Sequence, residues 1–170
     1  MRVYRVAYRA YAEAPLNGEG SFLFGGRWSS EGTRMAYTSS TLTLAMLEFL
    51  AHVEVEDFDP ANAPELVFAR IELPDDAAME LAEIGATLPE NWTDVPAPDE
   101  VRGMGDAWIR SARSLALVVP SVLVPLEASE PNVLINPAHP RFSEVHYDLA
   151  ELTYDRRLLA VRRGRAKPDS

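Results

Sequence analysis

Residues 114–136 read SLALVVPSVLVPLEASEPNVLIN. Three short apolar runs, Leu115–Val119, Val122–Val124 and Val133–Ile135, predict strands rich in valine and leucine, set apart by proline-containing turns. These intervals are too short for the dozen or more residues of a parallel crossover. Working outward, RVYRVAY at residues 2–8 predicts an opening strand, residues 34–38 a second, and ELVFARIEL at 65–73 a half-buried strand with Val67, Ala69, Ile71 and Leu73 on one face. A final strand falls within residues 145–154. Leu42–Val53, apolar almost all round, predicts a helix buried on more than one side, started by Ser39, Ser40 or Thr41 as cap. Residues 75–84 predict a short acidic helix, and 99–113 a longer one despite Gly103 and Gly105. Residues 14–27, with four glycines, and 88–98, with three prolines, predict loops. The expected fold class is α+β: one domain with a mixed, largely antiparallel sheet and flanking helices.

The chain has 170 residues, 16 basic and 26 acidic, for a net charge of −10. That length is one domain's, and its 47% hydrophobic content supplies a core without a staple. We place the domain at residues 1–161 and a mobile basic tail at 162–170, which holds Arg162, Arg163, Arg165 and Lys167. Cysteine is absent, which removes disulfides, thiolate metal ligands and thiol nucleophiles. Lys167 is the sole lysine, so neither a Schiff-base lysine nor a P-loop lysine is expected. A pI near 4.7 argues against direct nucleic-acid binding. With no signal-like start and no apolar run long enough to span a bilayer, the expected setting is the cytoplasm, with no membrane contact.

Several residues are candidates for chemistry. Arg27 follows Gly25-Gly26, where the backbone can approach a ligand and a guanidinium can fork onto phosphate; on the tetrapeptide alone, a surface turn with a snorkelling arginine is the favoured reading. Glu48 sits between Leu47 and Phe49 inside the apolar helix, where a carboxylate is costly unless paired or functional. His52 shares its helical face. Tyr37 ends a strand and can present its ring to a cleft or to the core. Ser121 stands at a strand break without the GxSxG elbow of a serine hydrolase. Asn132, Asn136 and His139 lie in NVLINPAHP, where each fits turn chemistry. The three histidines have no metal-ligand spacing, so a metal-free site is expected.

Taken in order, Gly25-Gly26-Arg27-Trp28, Ala36-Tyr37, Ala45-Met46-Leu47-Glu48, Gly105-Asp106-Ala107-Trp108, SLALVVPS at 114–121 and NVLINPAHP at 132–140 resemble the RES-domain family. The match runs from the first strand to about residue 157, and Arg27, Glu48 and Ser121 occupy the positions that name the family. The resemblance implies an ADP-ribosyltransferase-like fold and a toxin of a bacterial toxin–antitoxin pair. It implies an enzyme that degrades NAD⁺, by phosphorolysis or hydrolysis at the nicotinamide–ribose bond, with NAD⁺ as substrate and inorganic phosphate as a candidate co-substrate. The implied partner is an Xre-type antitoxin with a helix-turn-helix domain, forming a hetero-oligomer that covers the active site.

On that reading Glu48 is the catalytic carboxylate and Arg27 grips the diphosphate. Tyr37 stacks on nicotinamide, Ser121 contacts ribose or carboxamide, and His52 and Asn136 orient Glu48 or shape the pocket. Two alternatives stand beside it: mono-ADP-ribosylation of a protein, and a non-catalytic interaction protein in which Glu48 belongs to a buried ion pair.

Overall fold

The computed structural model describes residues 1–52, 65–124, 130–155 and 158. Among these, one sheet runs in the order β4-β5-β6-β2-β1-β3-β7. Its strands are β1 (Arg2–Tyr8), β2 (Ala36–Ser39), β3 (Leu66–Glu72), β4 (Ala78–Glu80), β5 (Ala116–Val119), β6 (Asn132–Ile135) and β7 (His146–Glu151). Every neighbouring pair is antiparallel except β4 with β5. Helices α1 (Glu19–Phe24), α2 (Leu42–His52) and α3 (Asp99–Ser111) complete an α+β domain with a mixed, mostly antiparallel sheet, as expected.

The run-on apolar character of β5 and β6 has a direct cause: both are central and covered on both faces. Leu117 and Leu134 meet Val101 and Trp108 of α3, together with Trp28 and Met35. On the other face Ala116, Val133 and Ile135 join Val3, Ala36, Ala69 and Ile71. Helix α2 lies over β1 and the neighbouring β2, and its Ala45, Met46 and Phe49 share a cluster with Val6 of β1 and Leu66 and Phe68 of β3.

β1 and β3 pair along seven residues, whereas β1 and β2 meet in register only at Tyr4 and Ser39. Beyond that point a side chain replaces the ladder: Arg5 Nη1 donates to the Tyr37 carbonyl at 2.7 Å. Burial holds the Arg5 pKa below its ordinary value, and its Nε has no hydrogen-bond partner among the described residues.

Four expectations need correction. Residues 14–27 are not all loop: α1 occupies 19–24, entered through Gly18 at φ 67°. Residues 75–84 form β4 and one 3₁₀ turn (Leu81–Ile84), because β5 offers β4 a parallel edge and a Glu80–Glu83 capping box closes the turn. Val122–Val124 is no strand; after Pro120 the chain bends, and Ser121 Oγ takes the Leu123 N–H at 3.0 Å. Among the described residues, helix α2 buries only Leu44 and Ala45, and Leu47 is 41% exposed, because the helix packs on the sheet along one stripe. Val53 and the tail at 162–170 lie outside the described residues.

In α3, Gly105 is a packing requirement, since a Cβ there would collide with the Trp28 carbonyl oxygen, while Gly103 faces open space. Gly105→Ala is expected to cost about 1–3 kcal/mol by overpacking, and Gly103→Ala to add about 0.5–1 kcal/mol. Denaturant unfolding of the two variants checks this difference in sign.

Candidate active site

Thr41 is the cap that starts α2: its Oγ1 accepts the Leu44 N–H at 3.1 Å. This fixes the helix directly after β2 and carries Glu48, half-buried, over the ends of β5 and β6. Ser121, 4% exposed and set just past β5 by Pro120, donates from Oγ to Glu48 Oε1 at 2.8 Å. Asn132, the first residue of β6, donates from Nδ2 to the same oxygen. Ser39, opposite Asn132 on β2, donates from its hydroxyl to Asn132 Oδ1 at 2.8 Å. Oε2 of Glu48 has no hydrogen-bond partner among the described residues.

Arg27 and Tyr37 are brought in by the glycine turn. A Cβ at Gly26 would strike the Tyr37 hydroxyl, so glycine permits the approach. The Tyr37 hydroxyl accepts the Trp28 N–H at 3.0 Å and shares a proton with Ser29 Oγ at 2.9 Å. Burial raises the Tyr37 pKa against the opposing effect of these bonds, so the ring is a neutral phenol. Arg27 Nη1 donates to the Trp92 carbonyl at 2.5 Å and the Asp94 carbonyl at 3.1 Å. Burial lowers the Arg27 pKa, opposed by the charge of Glu48 foremost, then by Tyr37 and Asp94. Arg27 and Glu48 thus share one electrostatic environment, but no ion pair joins them among the described residues.

Asp106 secures the wall behind this turn, accepting the Ser30 N–H at 3.1 Å. Burial disfavours its charge, but bonds from Ser30 and Thr33 and the nearby Arg110 outweigh it and hold the pKa low.

The site therefore brings together Arg27, Tyr37, Glu48 and Ser121. His52 and Asn136 sit elsewhere. The exposed His52 ring contacts the Glu48 backbone carbonyl at 2.8 Å, one helical turn back, and does not touch the carboxylate. Asn136 is buried and spends its amide on the Ile109 carbonyl and the Ala138 N–H, pinning the end of α3 to the turn after β6. Sequence reasoning missed Asn132 and Ser39 as site residues. The available signal was a polar side chain opening the apolar run VLI, but it read as turn chemistry. No group of three or more His, Asp or Glu residues suited to a metal ion occurs among the described residues.

The family model described as RES domain matches residues 2–157. A protein named Toxin Res, from Yersinia enterocolitica, is 37% identical over 142 residues, 84% of this chain and 88% of its own. One named Prs ADP-ribosylating toxin, from a Sphingobium species, is 39% identical over 134 residues, 78% of each chain. Among solved structures, a chain of the M. tuberculosis MbcT–MbcA toxin–antitoxin complex has the same fold: the TM-score is 0.70 at 17% identity, covering 95% of this chain and 86% of that one.

Tyr37→Phe leaves the Trp28 amide without its acceptor and is expected to cost about 1–2 kcal/mol in urea unfolding. Because the folded-state pKa of Asp106 lies below the unfolded one, its stabilisation is present above about pH 4 and is lost as pH falls through the folded value. Asp106→Asn should flatten the fall in stability that the parent chain shows as pH drops below about 4, by denaturation at each pH.

Proposed function

The chain belongs to the RES-domain family, and on that premise we propose that it is the toxin of a toxin–antitoxin pair that destroys NAD⁺ by breaking the nicotinamide–ribose bond. The observation that carries this reading is the state of Glu48: a half-buried carboxylate fixed on one oxygen by two neutral donors, with the other oxygen uncommitted among the described residues. A structural ion pair would spend the negative charge on a cation. Neutral donors orient the group and leave its charge available.

The chemistry uses that charge. Nicotinamide leaves with the bonding electron pair, which neutralises its ring, so no general acid is needed. Positive charge develops on the ribose, as in glycoside cleavage, and a carboxylate held in place stabilises it. Glu48 Oε2 faces that charge or the ribose hydroxyls. Arg27 holds the diphosphate: the Trp92 and Asp94 carbonyls anchor one nitrogen, and the remaining N–H groups are free to fork onto phosphate oxygens. Tyr37, its hydroxyl already engaged, offers its ring to nicotinamide. Ser121 has committed its proton to Glu48, so it offers substrate a lone pair only. Water, which gives up a proton to solvent, or inorganic phosphate then bonds to the ribosyl carbon that nicotinamide has left.

The resemblance to Toxin Res and to a chain solved in a toxin–antitoxin complex supports a cognate antitoxin as partner. An Xre-type protein would supply the DNA contacts that a chain of net charge −10 does not favour. A second reading, transfer of ADP-ribose to a protein side chain, is favoured by the relative named Prs ADP-ribosylating toxin. The same four residues would serve it, with an acceptor side chain replacing water or phosphate.

Glu48→Gln keeps the shape and an acceptor for Ser121 and Asn132 but removes the charge. Its rate of NAD⁺ loss is expected to fall by about 10²–10³-fold with the fold intact. The purified chain is assayed with and without phosphate, and with labelled NAD⁺ in lysate: phosphate dependence identifies phosphorolysis, and a discrete labelled protein identifies the transferase. A folded Glu48→Gln variant at full activity would overturn the reading.

A further inference from the structure

Asn132 and Ser39 stand opposite each other on β6 and β2, on the sheet face that carries α2. Their side chains form a directed series: the Ser39 hydroxyl donates to Asn132 Oδ1, and Asn132 Nδ2 donates to Glu48 Oε1. The direction is fixed at the Glu48 end, where the carboxylate can only accept. With Nδ2 committed to Glu48, Oδ1 is left facing the Ser39 hydroxyl, which supplies the donor it needs. Rotating the amide by half a turn would aim Oδ1 at a carboxylate oxygen, acceptor against acceptor. Ser39 is 2% exposed, so its hydroxyl has no bulk water to turn to. Nor does it cap α2, a role that Thr41 fills. Its donor is free for Asn132.

We propose that Asn132 is a positioning residue for Glu48, and that Ser39 acts through it by holding the amide in the donating orientation. This rests on the reading of Glu48 as the catalytic carboxylate. Two fixed donors, Asn132 from β6 and Ser121 from the end of β5, determine where Oε1 sits, and hence where Oε2 meets the ribose. With Ser121 alone the carboxylate can swing about a single bond, and a misplacement of order 1 Å costs roughly 10²-fold in rate. Because neither Ser39 nor Asn132 needs to touch NAD⁺, the effect belongs in kcat and not in KM.

The test is a cycle of Asn132→Ala, Ser39→Ala and the double variant, assayed for kcat and KM of NAD⁺ loss with melting curves alongside. Expected are a fall in kcat of roughly 10–10²-fold for Asn132→Ala and about 3–10-fold for Ser39→Ala. KM should stay within about 3-fold, and Ser39→Ala should cause no further loss once Asn132 is alanine. Losses that multiply in the double variant, or a change confined to KM, overturn the proposal. If Asn132→Ala does not fold, Ser39→Ala carries the test together with the Asn132 side-chain amide resonances in a ¹⁵N-labelled sample. These should shift in both Ser39→Ala and Glu48→Gln, and resonances unmoved in either variant overturn the series. If the parent chain leaves NAD⁺ intact, the functional reading fails separately, and those resonances still decide whether Ser39 directs Asn132 onto Glu48.

Discussion

Much of this molecule depends on how one carboxylate is satisfied. Glu48 is half-buried on a helix of mostly apolar side chains, and its Oε1 accepts from Ser121 and Asn132. Burying a charge without partners is prohibitive, and pairing it with a cation would cancel it. Two neutral donors avoid both outcomes. They also explain features that look unrelated: the bend after Pro120 that places Ser121, the polar residue that opens β6, and the Thr41 cap that sets the phase of α2.

Arg27 is handled by a complementary device. Main-chain carbonyls of Trp92 and Asp94 hold it, so it is oriented without an acidic side chain that would compete with an anionic ligand. In a chain with 26 acidic residues this is a notable economy of charge: local acids would repel a diphosphate, and carbonyl dipoles do so far less. The glycine turn before Arg27 lets the backbone close onto the Tyr37 hydroxyl, and Asp106 braces the following residues from α3.

The legible parts of the sequence were those with a strong period or a strong exclusion. The alternation of ELVFARIEL, the apolar runs of β5 and β6, and the periodic Val101, Met104 and Trp108 of α3 all reflect which faces are buried, and burial is what periodicity encodes. Arg27, Tyr37, Glu48 and Ser121 came together because their order matched a family motif. Less legible were features that depend on a neighbour far away in sequence. Residues 78–80 became a strand because β5 lies beside them, and α2 buries one stripe because only that stripe meets the sheet. Asn132 read as a turn residue because its partners, Ser39 and Glu48, are 93 and 84 positions away. The Trp92 and Asp94 carbonyls leave no trace in side-chain identity at all.

The single register pair between β1 and β2 divides the sheet into two panels, β4-β5-β6-β2 and β1-β3-β7. Helix α2 rests chiefly on β1 of one panel and touches β2 across the seam, while Asn132 and Ser121 come from the β4-β5-β6-β2 panel. The bonds to Glu48 therefore cross the seam, as does the Arg5 bond to the Tyr37 carbonyl. Glu48 is a rivet as well as a candidate reactive group: whatever alters its grip also alters how firmly the two halves of the sheet are fastened to each other.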